Sequence, residues 1–462
     1  MNAMDPSDRP VTTPVGLLRA SRRQILRGAL LGTSAVAATR LLTACGGSSA
    51  NAQVDPGAKA SLKGKTISLL VNQPHVVAFK DVLAKQFEQE FGGTLKVTAA
   101  PYDQLTSKQI LDVQSGAGQF DVFDYFYFGL GSLVAADALV DLTAWIKSQP
   151  DIDTSDFLRS IWDPYTLYDG KRYGLPFDGD THILFYNAKV FDTYKLDPPK
   201  TWDDYDAAVE KITKDSHGKV YGAVIEGQQV PMILGCTFIN RLAGYGGSLV
   251  GSDGKPNLNT DEAVQALTGL INVSKYALPT PLQIGFDQAN SAFLSGQGAM
   301  IDTWTDMALK ASDPSMSKIV DQWDAVPLPV GGSNTTPRTA LDAGFGLGVS
   351  AGSQQQVEAA EFVKWATSKT NNLAVASKAG TGIDPARTSV LNDAAYKKSL
   401  PRAYETIRTG LVGDPLAWPS GPDDPAGLQA MCDEIALAIQ GKKSAEQALS
   451  DATDQWRKGT SG

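Results

Sequence analysis

The alternation of strand and helix signals between residues 66 and 128 is the feature that most constrains the fold of this chain. Residues 66–71 form a short run of β-branched residues and leucine, which predicts a buried strand. Phenylalanine or leucine then recurs every fourth residue from Phe79 to Phe91, which marks one face of a helix. Strand, helix and strand signals follow at residues 95–99, 105–114 and 120–128. This order predicts a parallel sheet covered by helices, with ligands at the carboxyl ends of its strands.

A second unit of the same kind follows. Thr201 and Asp204 have the spacing of a capping box at a helix start. Strands are predicted at 220–225 and 299–302, and a helix is predicted at 357–367. Apolar stripes after residue 427 predict two further helices at the C-terminal end. The chain is long enough for two domains, each with its own core.

The N-terminal segment has the pattern of a bacterial export signal. Four arginines between residues 19 and 27 precede an apolar stretch at 28–42, and Leu-Thr-Ala-Cys45 follows. That tetrapeptide resembles the lipobox of bacterial lipoproteins, in which the cysteine is acylated and becomes the mature N-terminus. The alternative, a transmembrane helix, needs more than these 15 residues, which also include Arg40. Residues 21–27 resemble a twin-arginine motif, and 45–60 is predicted to be a flexible tether.

Composition after residue 44 excludes several classes of protein. The remaining 418 residues carry 35 basic and 48 acidic side chains, a net charge of −13, which argues against nucleic-acid binding. Cys236 and Cys432 form either one disulfide or two buried free thiols, and the sequence leaves both possibilities open. No later segment has 18 uninterrupted apolar residues.

Motifs of metal, phosphate and nucleophile chemistry were sought and not found. The three histidines are more than thirty residues apart, Gly64-Lys65-Thr66 lacks the earlier glycine of a phosphate loop, and no Gly-x-Ser-x-Gly occurs. These absences do not exclude an enzyme, but they leave no positive evidence for one. We expect no metal, no cofactor and no enzymatic activity.

Five segments in fixed order resemble the solute-binding proteins of bacterial ABC importers, in particular the carbohydrate-binding group that includes maltodextrin-binding protein. They are YGLPFDGDTHILFYN at 173–187, PPKTWDDY at 198–205, AFLSGQGAM at 292–300 with Trp304 after it, 343–350 followed by 358–365, and 382–387. Together they cover most of residues 65–460.

The resemblance implies an α/β fold of the periplasmic-binding-protein type. It has two lobes, each a mainly parallel sheet flanked by helices, joined by crossing hinge strands that close on a ligand. Lobe 1 is expected at 61–178 and 340–383, and lobe 2 at 183–335 and 388–462. The partners implied are a carbohydrate ligand, the permease subunits of an ABC importer and, through lipid on Cys45, the extracytoplasmic face of the membrane. A monomer is expected.

Asp180 is the strongest candidate ligand residue, because it falls where maltodextrin-binding protein places a ligand-contacting carboxylate; capping of the bend is the alternative. Trp304 is the candidate stacking platform for a sugar face, with core packing as the alternative. Phe345 lies where relatives carry tryptophan, which puts a second stacking surface in doubt. The other candidates lie at predicted strand ends, in the crossover or in loops: Asn72, Gln73, His75, Asp124, Tyr125, Asp178, His182, Glu226, Gln228, Gln229, Arg387 and Trp418.

The resemblance favours a lipid-anchored receptor for a sugar, oligosaccharide or polyol. Acidic residues at the predicted cleft keep an amino sugar or a polyamine open, and the absence of a basic cluster there disfavours a phosphorylated polyol. A glycan-processing enzyme is a further alternative, which would need two carboxylates about 5–10 Å apart across the bond.

Overall fold

The computed structural model describes residues 53–460. The strands of this part are β1 Thr66–Asn72, β2 Thr94–Ala100, β3 Val122–Phe126, β4 Leu167–Tyr168, β5 Lys171–Arg172, β6 Leu175–Asp178, β7 His182–Asn187, β8 Met300–Trp304, β9 Trp323–Val326 and β10 Phe345–Val349. The α-helices are α1 Ala84–Phe91, α2 Leu105–Gln114, α3 Leu130–Ala135, α4 Thr143–Ser148, α5 Arg159–Thr166, α6 Ala188–Tyr194, α7 Trp202–Asp215, α8 Cys236–Gly244, α9 Asp261–Ser274, α10 Phe286–Leu294, α11 Met307–Ser312, α12 Gln356–Ala366, α13 Lys369–Ala376, α14 Thr388–Leu391, α15 Ala394–Ser399, α16 Tyr404–Val412, α17 Asp424–Ile439 and α18 Ala445–Gly459.

The first sheet has five strands in the order β2-β1-β3-β10-β6. β1 pairs in parallel with β2 and β3, as the strand–helix alternation predicts. β10 returns much later in the chain and lies antiparallel between β3 and β6. The side chains of β3 and β10 are buried throughout, because helices cover both faces of a sheet of this kind.

The second sheet has three strands in the order β8-β7-β9, and both pairs are antiparallel. The expectation of a mainly parallel sheet is therefore wrong for this lobe. The predicted strand at 220–225 makes only two isolated parallel bridges beside β8. The N–H groups of Tyr221 and Val224 donate to the carbonyls of Gln297 and Met300. The backbone groups of Val220 and Gly222 bond instead to side chains: the Ser216 hydroxyl donates to the Val220 carbonyl, and the Gly222 N–H donates to the Thr213 hydroxyl.

Two short chain segments connect the sheets. Residues 179–181 lead from β6 to β7, and 327–344 lead from β9 back to β10. A third segment lies beside the first, because the Gly179 N–H donates to the Asp384 carbonyl at 3.2 Å. Gly179 has no room for a side chain, since a Cβ would lie 2.3 Å from the Pro385 carbonyl oxygen. The fold is a two-lobed α/β arrangement, as predicted.

Several elements differ from the predicted ones at their ends. The helix expected from Phe79 begins as a π-helical segment, Ala78–Leu83, before α1. The strand expected at 120–128 is shortened to β3, after which Tyr127–Gly129 forms a 3-10 turn. The capping box at Thr201 is present, with reciprocal hydrogen bonds to Asp204.

The described end of the predicted tether packs against the first lobe. Gln53 forms a bridge to Asp141 and donates to its carboxylate at 3.1 Å, and Val54 is buried. Residues 53–60 therefore do not act as a free tether. Cys45 and the twin-arginine segment lie outside the described residues. In the described part of the chain no helix combines the length and apolarity needed to cross a membrane.

Both cysteines of the folded part, Cys236 and Cys432, are free and buried. This resolves the alternative that the sequence left open. The predicted lobe boundaries remain a prediction.

Candidate functional site

A small cavity with a volume of about 40 Å³ lies between the two sheets. Residues of both lobes and of the link between them form its wall. They are Asn72, Pro74, His75, Tyr102, Asp180, Met232, Ile233, Phe286, Trp304, Asp306, Phe345 and Gly382. Because loops after β1 and β2 meet residues near β8 and α10 here, the cavity is the natural place for a ligand held between lobes.

Asp180 occupies the middle of the 179–181 link. Its residue is 6% exposed and its φ is +20°, a backbone conformation that is rare for a residue with a side chain. Its carboxylate makes no hydrogen bond among the described residues. Burial raises the pKa of Asp180 well above its usual range, and the neighbouring carboxylates of Asp178 and Asp384 raise it further. The group therefore has free acceptor capacity beside the cavity.

His75 forms a buried bridge beneath the cavity wall. Its Nδ1 lies 2.8 Å from Asp124 Oδ2, and its Nε2 lies 3.2 Å from Asp178 Oδ2. Burial alone would lower the pKa of His75, but Asp124 and Asp178 outweigh it and raise the pKa to about 10. The Asn72 N–H also donates to Asp124, at 3.0 Å. Asp124 and Asp178 thus position His75 and Asn72 and do not themselves line the cavity.

Aromatic rings form the other side of the cavity. Trp304, at the end of β8, meets the His182 ring edge-on at 4.3 Å and the Phe286 ring at 5.3 Å. Lys310 lies 4.5 Å from the centre of the Phe286 ring and forms a 2.5 Å ion pair with Asp306. Phe345 contacts the His75 ring at 4.3 Å. The cavity therefore combines flat apolar faces with carboxylates, the pairing that recognises C–H faces and hydroxyl groups.

Tyr102 joins the two lobes across the cavity mouth. It lies beyond the end of β2, and its hydroxyl donates to Gln228 Oε1 at 2.5 Å. Gln228 belongs to the segment that follows the bridges beside β8. This hydrogen bond exists only while the lobes are close, so it favours the closed arrangement.

Five of the predicted site residues line the cavity: Asn72, His75, Asp180, Trp304 and Phe345. His182 contacts Trp304 from behind, and Gln228 contacts Tyr102. Glu226 is buried and accepts from the Thr303 hydroxyl at 2.7 Å.

The remaining predicted site residues lie away from the cavity. Gln73 is exposed, Gln229 donates to Asp433, and the Tyr125 hydroxyl donates to the Tyr165 carbonyl. Trp418 packs against Phe128. Arg387 pairs with Asp156 at 3.3 Å and donates to the carbonyls of Ile152 and Thr367, which is the bracing role that was the alternative to ligand binding.

The sequence analysis missed Tyr102, Phe286, Asp306, Met232, Ile233, Pro74 and Gly382 as lining residues. Most of them lie on loops or helices whose approach to the cavity depends on the packing of both lobes. Only the position of Tyr102, directly after the second predicted strand, was a usable signal.

Buried carboxylates outnumber buried cations around the cavity and the links. The carboxylates are Asp124, Asp178, Asp180, Glu226, Asp302, Asp306, Asp342 and Asp384, and the cations are His75, His182 and Lys310. Burial raises the pKa of Glu226 to about 8 and that of Asp342 to about 7. Burial would lower the pKa of His182, but Asp342 and Asp302 raise it to about 9.

These four raised pKa values predict the pH dependence of stability. Each of His75, His182, Glu226 and Asp342 binds its proton more tightly in the folded protein than in the unfolded chain. Their contribution is complete below the ordinary pKa of each group and is lost as the pH rises through the folded value. We expect the melting temperature of the ligand-free protein to fall between about pH 6 and about pH 9.

Melting curves of Glu226→Gln should show a shallower fall over the same pH interval, because that substitution removes one of the titrating groups. The exposed His217 provides the control, and His217→Gln should follow the wild-type curve. A melting temperature that rises with pH across this interval would contradict the assignment.

The chain is similar to known proteins over most of its length. The model of the bacterial extracellular solute-binding protein family matches residues 72–373. A probable amino-acid ABC transporter periplasmic-binding protein of Sinorhizobium fredii is 26% identical over 395 residues, covering 84% of this chain and 88% of its own. The mannitol-binding protein of Pseudomonas aeruginosa is 25% identical over 403 residues, covering 80% and 87%.

A solved structure extends the likeness to the whole fold. An ABC transporter solute-binding protein of Agrobacterium radiobacter, determined in complex with ribitol, superposes with a TM-score of 0.76 at 26% identity. The match covers 86% of this chain and all of that one.

Proposed function

The chain belongs to the family of bacterial extracellular solute-binding proteins, and we propose that this receptor binds a small sugar or polyol between its lobes. On this proposal it delivers the ligand to the permease of an ABC importer. The family and the fold are those of transport receptors that work outside the cytoplasm. The observation that carries the proposal is that one cavity presents the unbonded Asp180 carboxylate together with the rings of Trp304 and Phe286.

The size of the cavity favours a single sugar ring or a linear polyol over an oligosaccharide. Its volume of about 40 Å³ accommodates a few water molecules. A ligand of that class enters when the Tyr102–Gln228 contact opens, and closure then surrounds it. The ribitol complex and the mannitol-binding relative support the same ligand class.

A ligand that carries an amine is the second candidate. The surplus of buried carboxylates around the cavity would stabilise a cationic group, whereas Lys310, which lies against the lining residue Phe286, is already paired with Asp306. The relative named as an amino-acid receptor is consistent with this alternative.

A thermal-shift panel separates these candidates. Alditols, monosaccharides, amino sugars, polyamines and amino acids should be tested at equal concentration. A ligand present at about a hundred times its Kd should stabilise the fold by about 2.7 kcal/mol. We expect the largest shift from a neutral alditol or monosaccharide. A shift from amines alone would support the second candidate, and no shift from any polyhydroxylated compound would contradict the proposal.

We further propose that Cys45 carries the lipid that holds the receptor at the membrane. Cys45→Ala should move the protein from the membrane fraction to the soluble fraction or the medium, because a lipid chain there is the anchor. Ser48→Ala, in the same segment, is the control and should leave the protein on the membrane. Cell fractionation with an antibody against the folded part measures the distribution. Retention of Cys45→Ala on the membrane would contradict the lipid anchor.

A further inference from the structure

Three side chains of different chemistry meet in the interior next to the links between the sheets. They are His182 at the start of β7, Cys236 at the start of α8, and Asp342 in the 327–344 segment. One donor atom from each lies within 4.8 Å of the other two, and all three residues are 0% exposed. None of them lines the cavity assigned to the solute.

Two of these donor atoms have no protein partner. Nε2 of His182 and Oδ2 of Asp342 are buried and make no hydrogen bond within the described residues. Leaving such groups unpaired in the interior costs free energy, and the cost is larger when they are charged. Their burial therefore calls for a ligand between them.

The second polar atom of the His182 and Asp342 side chains is held by a hydrogen bond, as is usual for metal ligands. His182 Nδ1 lies 2.8 Å from Asp302 Oδ1, which leaves Nε2 as the coordinating nitrogen. Asn240 Nδ2 donates to Asp342 Oδ1 at 2.8 Å, which leaves Oδ2 free. A carboxylate or amide behind each ligand fixes its orientation and tunes its basicity.

We propose that His182, Cys236 and Asp342 bind a divalent transition-metal ion of the zinc class. An imidazole nitrogen, a thiolate sulfur and a carboxylate oxygen suit zinc, which takes N, S and O donors in tetrahedral geometry. Donor atoms around a tetrahedral zinc lie roughly 3.3–3.8 Å apart. The three donor atoms here lie within 4.8 Å of one another, and they would occupy three of the four positions. The fourth position is left for water.

Binding requires that Cys236 lose its proton and that His182, whose pKa is raised to about 9, lose the proton on Nε2 as well. The S–H and N–H bonds break as the metal–sulfur and metal–nitrogen bonds form, and both protons leave to solvent. Burial raises the pKa of this thiol, so without a metal the group stays a neutral thiol that donates to the Met232 carbonyl at 3.3 Å. With thiolate, carboxylate and neutral imidazole as ligands, the charge of the dication is neutralised within the site.

A small cleft of about 30 Å³, separate from the solute cavity, lies beside the proposed site. His182 is part of its wall, together with Thr339, Arg338 and Pro415. The bound ion would connect β7 to the 327–344 segment and to α8. It would therefore stiffen the hinge and, through the His182–Trp304 ring contact, the wall of the solute cavity.

Cobalt titration tests the proposal directly. The purified protein, stripped with a chelator and dialysed, is titrated with Co²⁺ while absorption is recorded, and metal content is measured after gel filtration with Zn²⁺. We expect one ion per chain and a thiolate-to-cobalt charge-transfer band. Cys236→Ser should abolish this band, whereas Cys432→Ser, which removes the other buried thiol, should retain both the band and the stoichiometry.

Asp302→Asn provides a second measurement that does not alter a ligand atom. It should weaken metal affinity on the order of 10–100-fold while the charge-transfer band persists at saturation. Melting curves of each variant show that it is folded under the titration conditions. Failure of the wild-type protein to retain metal, or an unchanged band in Cys236→Ser, would overturn the proposal. An ordered water would then occupy the space between the three side chains.

Discussion

Replacing Asp180 by asparagine is expected to weaken solute binding by about ten- to a hundredfold and to raise the melting temperature of the ligand-free protein. The loss follows because the amide replaces one acceptor oxygen of the carboxyl group by a donor, and leaving a buried ligand hydroxyl without its acceptor costs about 1–3 kcal/mol. The gain in stability follows because the carboxylate is buried beside Asp178 and Asp384 and has no protein partner. Calorimetric titration with the best ligand of the thermal-shift panel, beside melting curves without ligand, measures both effects.

The alternative role of Asp180, capping the bend between the lobes, predicts the opposite pattern. A cap would lose stability on substitution and leave affinity almost unchanged. Asp137 is the matched control, because it is also an aspartate at positive φ but is exposed and lies outside the cavity. Asp137→Asn should leave ligand affinity at the wild-type value. A destabilised Asp180→Asn protein that binds with normal affinity would remove Asp180 from the site.

Replacing Trp304 by alanine is expected to reduce affinity by about 2–4 kcal/mol, since central aromatic residues dominate binding at buried contacts. The residue is 8% exposed and packs against His182 and Phe286, so the same change should also lower the free energy of unfolding, by about 3–5 kcal/mol. Trp304→Phe retains a ring and should fall between wild type and alanine in both measurements.

Trp323 separates stacking on the ligand from packing in the core. It is buried in the same sheet, 5.8 Å from the Phe185 ring, and does not line the cavity. Trp323→Phe should therefore lower stability and leave affinity unchanged. If Trp304→Ala behaved as Trp323→Phe does, Trp304 would be a core residue and not a binding surface.

Sequence reasoning predicted the strand–helix alternation because the periodicities are local. At 220–225 it predicted a continuous strand, whereas the chain makes only two isolated bridges there, at Tyr221 and Val224. It also predicted more polar residues at strand ends than line the cavity. Alternation along a strand indicates on which face of the sheet a side chain lies. It does not indicate whether that side chain is already bonded to a neighbour, as Asp124 and Asp178 are to His75.

Several lining residues could not be predicted from the sequence, because no local pattern indicates them. Phe286 opens a helix and Asp306 precedes one, so neither follows a predicted strand end. Their place at the cavity arises from the closure of two lobes that are formed by distant parts of the chain. A single sequence carries no local signal for such a meeting.

Asp180, the proposed solute contact, is also the centre of the three-residue connection between the two lobes. If closure turns the lobes about this connection, a substitution at its φ of +20° alters the ratio of open to closed molecules as well as the contact itself. The apparent dissociation constant is the intrinsic one divided by the populated fraction of the competent state. To adapt this receptor to another solute, in a biosensor for example, we would therefore change Phe286 or Met232. Both residues line the cavity and lie outside the connection between the lobes.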